Sequence, residues 1–142
     1  MLTVTQPATA QTLRGRVHVD DGDSLTVNGR QVRLFGVDAF EYRQTCGRMK
    51  CGQAALQHLR QLVKGQSVAC VRQDIDAYGR VVAVCRLSDG RDLGREMVRS
   101  GYAVAYRRYS TRYVADEVAA KKAKAGAWAH GFRRPSDYRR SH

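Results

Sequence analysis

Between residues 13 and 37 three short stretches alternate apolar and polar side chains and are separated by turn residues. This period-two pattern constrains the fold more than any other feature, because it demands strands with one face buried. Residues 13–19 (Leu-Arg-Gly-Arg-Val-His-Val) form the first, and Asp20-Asp21-Gly22-Asp23 breaks it with turn chemistry. Ser24 to Val27 form the second, Asn28-Gly29 supplies the strongest short hairpin signal, and Gln31 to Val37 run back as the third. From Gly52 to Lys64 the period becomes helical, with Ala55, Leu56, Leu59, Leu62 and Val63 on one side and Gly65 as the stop. Ser67 to Arg72 and Arg80 to Leu87 then read as two more strands about Asp76-Ala77-Tyr78-Gly79.

Asp92 caps a short helix through Arg99, ended by Gly101. A last helix runs from about Tyr113 to Ala125, with Val114, Val118, Ala119 and Ala125 on its inward face, and Trp128 packs back on the body. Five strands with a helix between the third and fourth predict an α+β protein: a five-stranded OB-fold Greek-key β-barrel with about three α-helices. The tail from Arg133 to His142 reads as irregular or frayed. A chain of 142 residues suffices for one domain with a real core, and no apolar run is long enough to span a membrane.

Charge narrows the function. The formal net charge is +12, and residues 93–142 hold 12 basic against 4 acidic side chains. Such an excess repels itself in a compact fold and fits an anionic partner: nucleic acid, anionic lipid or acidic polysaccharide. Tyr102, Tyr106, Tyr109 and Tyr113 interleave with Arg107, Arg108 and Arg112, a mixture suited to single-stranded nucleic acid, while Tyr102 and Tyr113 fit core packing better. His18, His58, His130 and His142 show no ligand spacing.

The four cysteines form two local pairs, Cys46 with Cys51 and Cys70 with Cys85, and neither has the two-residue gap of a zinc site. Two disulfides, and with them an exported protein, are one reading; reduced, buried Cys70 and Cys85 are the other. Ala8-Thr9-Ala10 resembles a leader cleavage site, so the expected location is secreted or periplasmic.

Three acids stand at strand ends, Asp23 after the first strand, Asp38 and Glu41 after the third, where a hard cation could take them as ligands. Arg33 lies in the third strand and Arg80 opens the fifth. Together these pieces resemble the staphylococcal nuclease (thermonuclease) family. Asp21-Gly22-Asp23-Ser24 is similar to its Asp-Gly-Asp-Thr turn, and Val32 to Glu41 to its Arg-Leu-x-x-Val-Asp-Thr-Pro-Glu segment. Asp76-Ala77-Tyr78-Gly79-Arg80 is similar to its Asp-x-Tyr-Gly-Arg turn, and Gly126-Ala127-Trp128 to its closing Ile-Trp.

The resemblance implies a nuclease-like domain over residues 13–130, between a flexible segment 1–12 and a basic C-terminal tail 131–142. It further implies Asp23, Asp38 and the carbonyl of Ala39 as calcium ligands, Glu41 as the general base, and Arg33 and Arg80 on the scissile phosphate. The resemblance also implies that Tyr78 and Tyr106 line the nucleotide pocket. The implied reaction is calcium-dependent endonucleolytic hydrolysis of DNA and RNA at the P–O5′ bond, by a monomer. The alternatives are a noncatalytic nucleic-acid-binding OB-fold module, or a basic exported domain serving a polysaccharide or protein partner. Ala39-Phe40 replaces the family's Thr-Pro, which removes a source of rigidity beside the metal ligands.

Overall fold

The computed structural model describes residues 12–142; the expectations for residues 1–11, Ala8-Thr9-Ala10 among them, lie outside the described residues. Strands β1 (Thr12–Asp21), β2 (Ser24–Val27) and β3 (Arg30–Leu34) form the expected meander through the Asn28-Gly29 turn. Strands β5 (Ser67–Ile75) and β6 (Val81–Leu87) make the second hairpin, and the five close as β1-β2-β3-β6-β5. β3 and β6 pair parallel while the other neighbours are antiparallel. The inward residues Leu25, Val27, Val32, Leu34, Val81 and Ala83 fill the barrel. Burying a leucine or valine side chain stabilises by about 1.5–3 kcal/mol.

Helix α1 (Cys51–Val63) seals the barrel with Ala55, Leu56, Leu59 and Val63, one residue off the expected start and end. Helix α2 (Leu93–Arg99) is capped by Asp92, whose side chain accepts the Arg95 amide. Tyr113 lies in the core as expected and donates its hydroxyl to Asp92 at 2.8 Å, so the cap is also a tertiary tie.

Four features differ from the sequence expectation. The third strand stops at Leu34 rather than Val37: Gly36 takes φ +73°, where a side chain is strained, and turns the chain out of the barrel. Val37–Ala39 then forms a separate strand, β4, paired antiparallel with the unforeseen β7 (Ala103–Ala105). Helix α3 (Val114–Ala123) packs Val114 against the core as expected, but it leaves Val118 and Ala119 exposed and buries Asp116, Glu117 and Ala120 instead, because arginines neutralise the two acids. The C-terminal tail is not frayed: after a one-turn 3-10 helix at Gly126–Ala129, residues Pro135–Arg140 form α4. Among the described residues no helix is long and apolar enough to cross a membrane.

Both cysteine pairs are disulfides, Cys46–Cys51 and Cys70–Cys85, the latter between directly opposed residues of the β5–β6 hairpin. The Cys70–Cys85 bridge closes a loop with a sequence separation of 15, which by loop entropy is worth about 3 kcal/mol. Replacing both cysteines with alanine is therefore expected to lower unfolding free energy by about that amount in urea titration. An unchanged midpoint would show that the bridge contributes nothing.

Candidate active site

Strand ends and turns bring the acids and arginines together. The β1–β2 turn carries Asp23, whose Oδ2 accepts the Ala39 amide at 2.9 Å and so ties that turn to β4. β3 presents Arg33, with Nη1 3.2 Å from Asp23 Oδ2 and Nη2 3.7 Å from Asp38 Oδ1. β4 presents Asp38, only 1% exposed, and Glu41 follows two residues after the strand. Across the pocket Asp76 folds the β5–β6 turn onto itself. Its Oδ1 accepts the amides of Tyr78 and Arg80 at 2.9 Å, and its Oδ2 accepts Arg80 Nε at 2.7 Å. Asp76 thus engages only Nε of the Arg80 guanidinium, leaving its terminal nitrogens to meet an anion.

These groups surround one cavity of about 590 Å³. Asp23, Arg33, Asp38, Glu41, Tyr78, Arg80 and Tyr106 all line it, while Ala39 lies behind, buried. Tyr78 is 86% exposed and has the Arg80 guanidinium 5.7 Å from its ring centre, a cation–π distance that leaves the outer ring face to stack on a base. Tyr109 also lines the cavity and donates its hydroxyl to Asp74 at 2.6 Å; that bond pushes its phenol up to about 12. A larger concavity of about 830 Å³ between β1 and α1 is lined by Arg16, Arg60 and Lys64 and by no carboxylate, so it attracts anions without groups for hydrolysis.

Among the charged residues that line the cavity, sequence reasoning gave no role to Asp76, described above, nor to two more. Asp21 is one, although it stands inside the quoted turn motif. Arg139 of α4 is the other: its Nη1 and Nη2 reach the two oxygens of Asp38 at 2.8 and 2.9 Å, and Nη1 also reaches Glu41 Oε1 at 2.8 Å. Only the basic composition of the tail hinted at it.

The donor chemistry fits a hard cation. Burial pushes the Asp38 carboxyl above the ordinary aspartate range despite Arg139 and Arg33, and the charge of Asp23 adds to the effect. Partial desolvation and the charges of Asp23 and Glu41 push Asp21 up as well. Clustered carboxylates held against their own repulsion are what a divalent cation relieves. Among the described residues no three His, Cys, Asp or Glu side chains converge on one point. The implied ligand set needs only two such side chains, its third donor being a backbone carbonyl.

The departure from the family pattern at Ala39-Phe40 is compensated locally. Phe40, where the family has proline, is 1% exposed and lies edge-on to Phe132 at 4.8 Å, in a second small core with Cys46, Cys51, Val104 and Ala127. Packing thus holds the segment that proline would stiffen. Gly52 packs the start of α1 directly on the Glu41 backbone, and an added methyl would overlap the Glu41 carbonyl oxygen. Gly52→Ala is expected to displace Glu41 and lower both melting temperature and turnover; wild-type values for both would contradict the contact.

Glu117 anchors the elements behind the site. Its Oε1 accepts the Ala105 amide at 3.1 Å, and its two oxygens take Arg134 at 3.1 Å each and Arg107 at 2.8 Å. Burial alone would raise this carboxyl, but the hydrogen bonds from Arg134, Arg107 and the Ala105 amide outweigh it and hold its pKa below the usual glutamate value. A depressed carboxyl pKa adds stability that is complete above the unfolded value of 4.5 and lost as pH falls through the folded one. Glu117→Gln should cost about 2 kcal/mol at neutral pH, and the gap from wild type should shrink in acid. A gap independent of pH would contradict the ion pairing.

Comparison with known proteins agrees with this geometry. Residues 31–130 match the family described as staphylococcal nuclease homologue. An uncharacterized endonuclease of Escherichia coli is 31% identical, over 87% of this chain and 82% of its own length. The succinoglycan biosynthesis protein ExoI of Rhizobium meliloti is 30% identical, over 90% of this chain and 71% of its own. The probable endonuclease LCL3 of Komagataella phaffii is 36% identical over 77% of this chain, which spans about half of that relative, 54%. With the family match covering more than half of the chain, from β3 through the 3-10 helix, the chain belongs to the staphylococcal nuclease homologue family.

Proposed function

We propose that the protein is a calcium-dependent endonuclease that hydrolyses DNA and RNA at the P–O5′ bond, preferring single-stranded or locally open substrate. The observation that carries this reading is the gathering of Asp23, Asp38, Glu41, Arg33 and Arg80 about one cavity within a strongly basic protein. A module that only bound nucleic acid would gain nothing from carboxylates facing phosphate. The same observation disfavours a purely polysaccharide-directed role, although one relative is named for succinoglycan biosynthesis.

Asp23, Asp38 and the Ala39 carbonyl would hold the calcium ion, which supplies polarisation of a phosphoryl oxygen when bound. Glu41 takes a proton from the attacking water, whose oxygen bonds to phosphorus as the P–O5′ bond breaks. Arg33 and Arg80 stabilise the charge that grows on the phosphoryl oxygens. The leaving 5′ oxygen takes a proton from solvent water, so the products end in a 3′-phosphate and a 5′-hydroxyl. Tyr78 and Tyr106 seat the flanking base, and the basic surface after residue 93 draws in the polyanion. The two disulfides support an oxidising compartment, secreted or periplasmic.

Incubation with single-stranded DNA and with RNA, in calcium, in magnesium and in chelator, tests this reading. Cleavage in calcium that stops in chelator is expected. Intact nucleic acid after incubation with folded protein in calcium would overturn it.

A further inference from the structure

Arg139 occupies both oxygens of Asp38, at 2.8 and 2.9 Å, and one oxygen of Glu41. A cation that takes Asp38 as a ligand has to displace these bonds. Asp38 is deeply buried, so without a cation beside it the acid would carry a large desolvation penalty, and Arg139 offsets that penalty.

The segment that carries Arg139 is attached in two stages. Up to Pro135 it is firmly docked: Phe132 packs on Phe40 and Trp128, Arg134 pairs with buried Glu117, and the Arg133 carbonyl accepts Gln44 Nε2 at 2.8 Å. Beyond Pro135, itself buried, α4 is six residues long. A helix that short gains little stability from its own hydrogen bonds, so its placement depends on tertiary contacts. Among the described residues, Arg139 supplies all the ion pairs that α4 makes with the rest of the protein; the one made by Arg140 stays within the helix.

From this geometry we propose that Arg139 is the resident counter-cation of the acidic cluster, exchanged for a divalent cation, and that α4 swings off its anchor at Pro135 when the exchange occurs. Arg139 thereby sets the cation affinity of the site and keeps α4 across the cavity until the cation arrives. The released guanidinium stays tethered beside the cavity, where a phosphate can take it in place of Asp38. The inference rests on the calcium reading of the site.

Calorimetric titration of the full chain with calcium, without substrate, tests it. Arg139→Gln should bind calcium tenfold or more tightly than wild type, since two charge-assisted bonds to Asp38 no longer compete. Arg139→Lys, which keeps the charge but not the fork, should fall between. In wild type, amide hydrogen exchange over residues 135–142 should rise on adding calcium. Equal calcium affinity in wild type, Arg139→Gln and Arg139→Lys, each verified as folded, would overturn the exchange. Exchange over 135–142 that calcium leaves unchanged would overturn the swing of α4. Calcium binding to none of the three would overturn this inference together with the calcium reading, whereas equal binding to all three would leave that reading standing.

Discussion

Glu41→Gln should lower turnover by about 10²–10⁴-fold, the range for losing a positioned general base. Glutamine keeps the size and the hydrogen-bonding reach of the side chain but cannot take a proton from water. Binding of uncut nucleic acid should be as tight as in wild type or tighter, because one negative charge facing the phosphate is gone. The loss is therefore expected in kcat rather than KM. Glu41 is half-buried and, among the described residues, its one ion pair is to Arg139, so the variant should fold normally. A drop in kcat/KM that came entirely from KM would assign Glu41 to substrate placement instead.

Arg80→Ala should cost about 10²–10³-fold in turnover if its guanidinium acts as a transition-state donor, a loss of about 2.7–4 kcal/mol. Asp76 holds Arg80 Nε at 2.7 Å, so the terminal nitrogens are already aimed before substrate arrives. Preorganisation of that kind is what separates a donor worth several kcal/mol from a mobile surface cation. Arg80→Lys should recover little, because an ammonium group cannot both answer Asp76 and present a planar fork to phosphate. Near-wild-type turnover in Arg80→Lys would reduce Arg80 to a point charge. Arg33 is a less clean probe, since its removal also strips Asp23 and Asp38 of a partner.

The barrel was legible because its strands and α1 are amphipathic, and the Asn28-Gly29 turn sets the register of the first hairpin. The candidate site was legible because its residues sit in short segments with strong local character. Three parts were not, each for a physical reason. β4 and β7 are three residues long and buried on every side, so they show no alternation to read. The inward face of α3 carries Asp116 and Glu117, which hydropathy sends to solvent; their burial depends on Arg95, Arg99, Arg107 and Arg134, distant in sequence or on other elements. The α4 contact joins residues 101 apart in sequence, Asp38 and Arg139, and no local pattern encodes a pairing at that range.

The family pattern also left open how Ala39-Phe40 could replace Thr-Pro. The answer lies in packing: Phe40 exchanges a backbone constraint for an aromatic anchor, and the same anchor docks the start of the C-terminal segment. One substitution thus links the geometry of the proposed metal ligands to the element that carries Arg139.

The acids and arginines around this one cavity are proposed to hydrolyse phosphodiesters. The most direct measurement is cleavage of an end-labelled single-stranded oligonucleotide in calcium by wild type and Glu41→Gln, with the product ends identified. Wild type should cut and leave 3′-phosphate and 5′-hydroxyl ends, while folded Glu41→Gln binds the same strand and leaves it essentially whole. Cutting by Glu41→Gln at the wild-type rate, or no cutting by folded wild type, would contradict the claim.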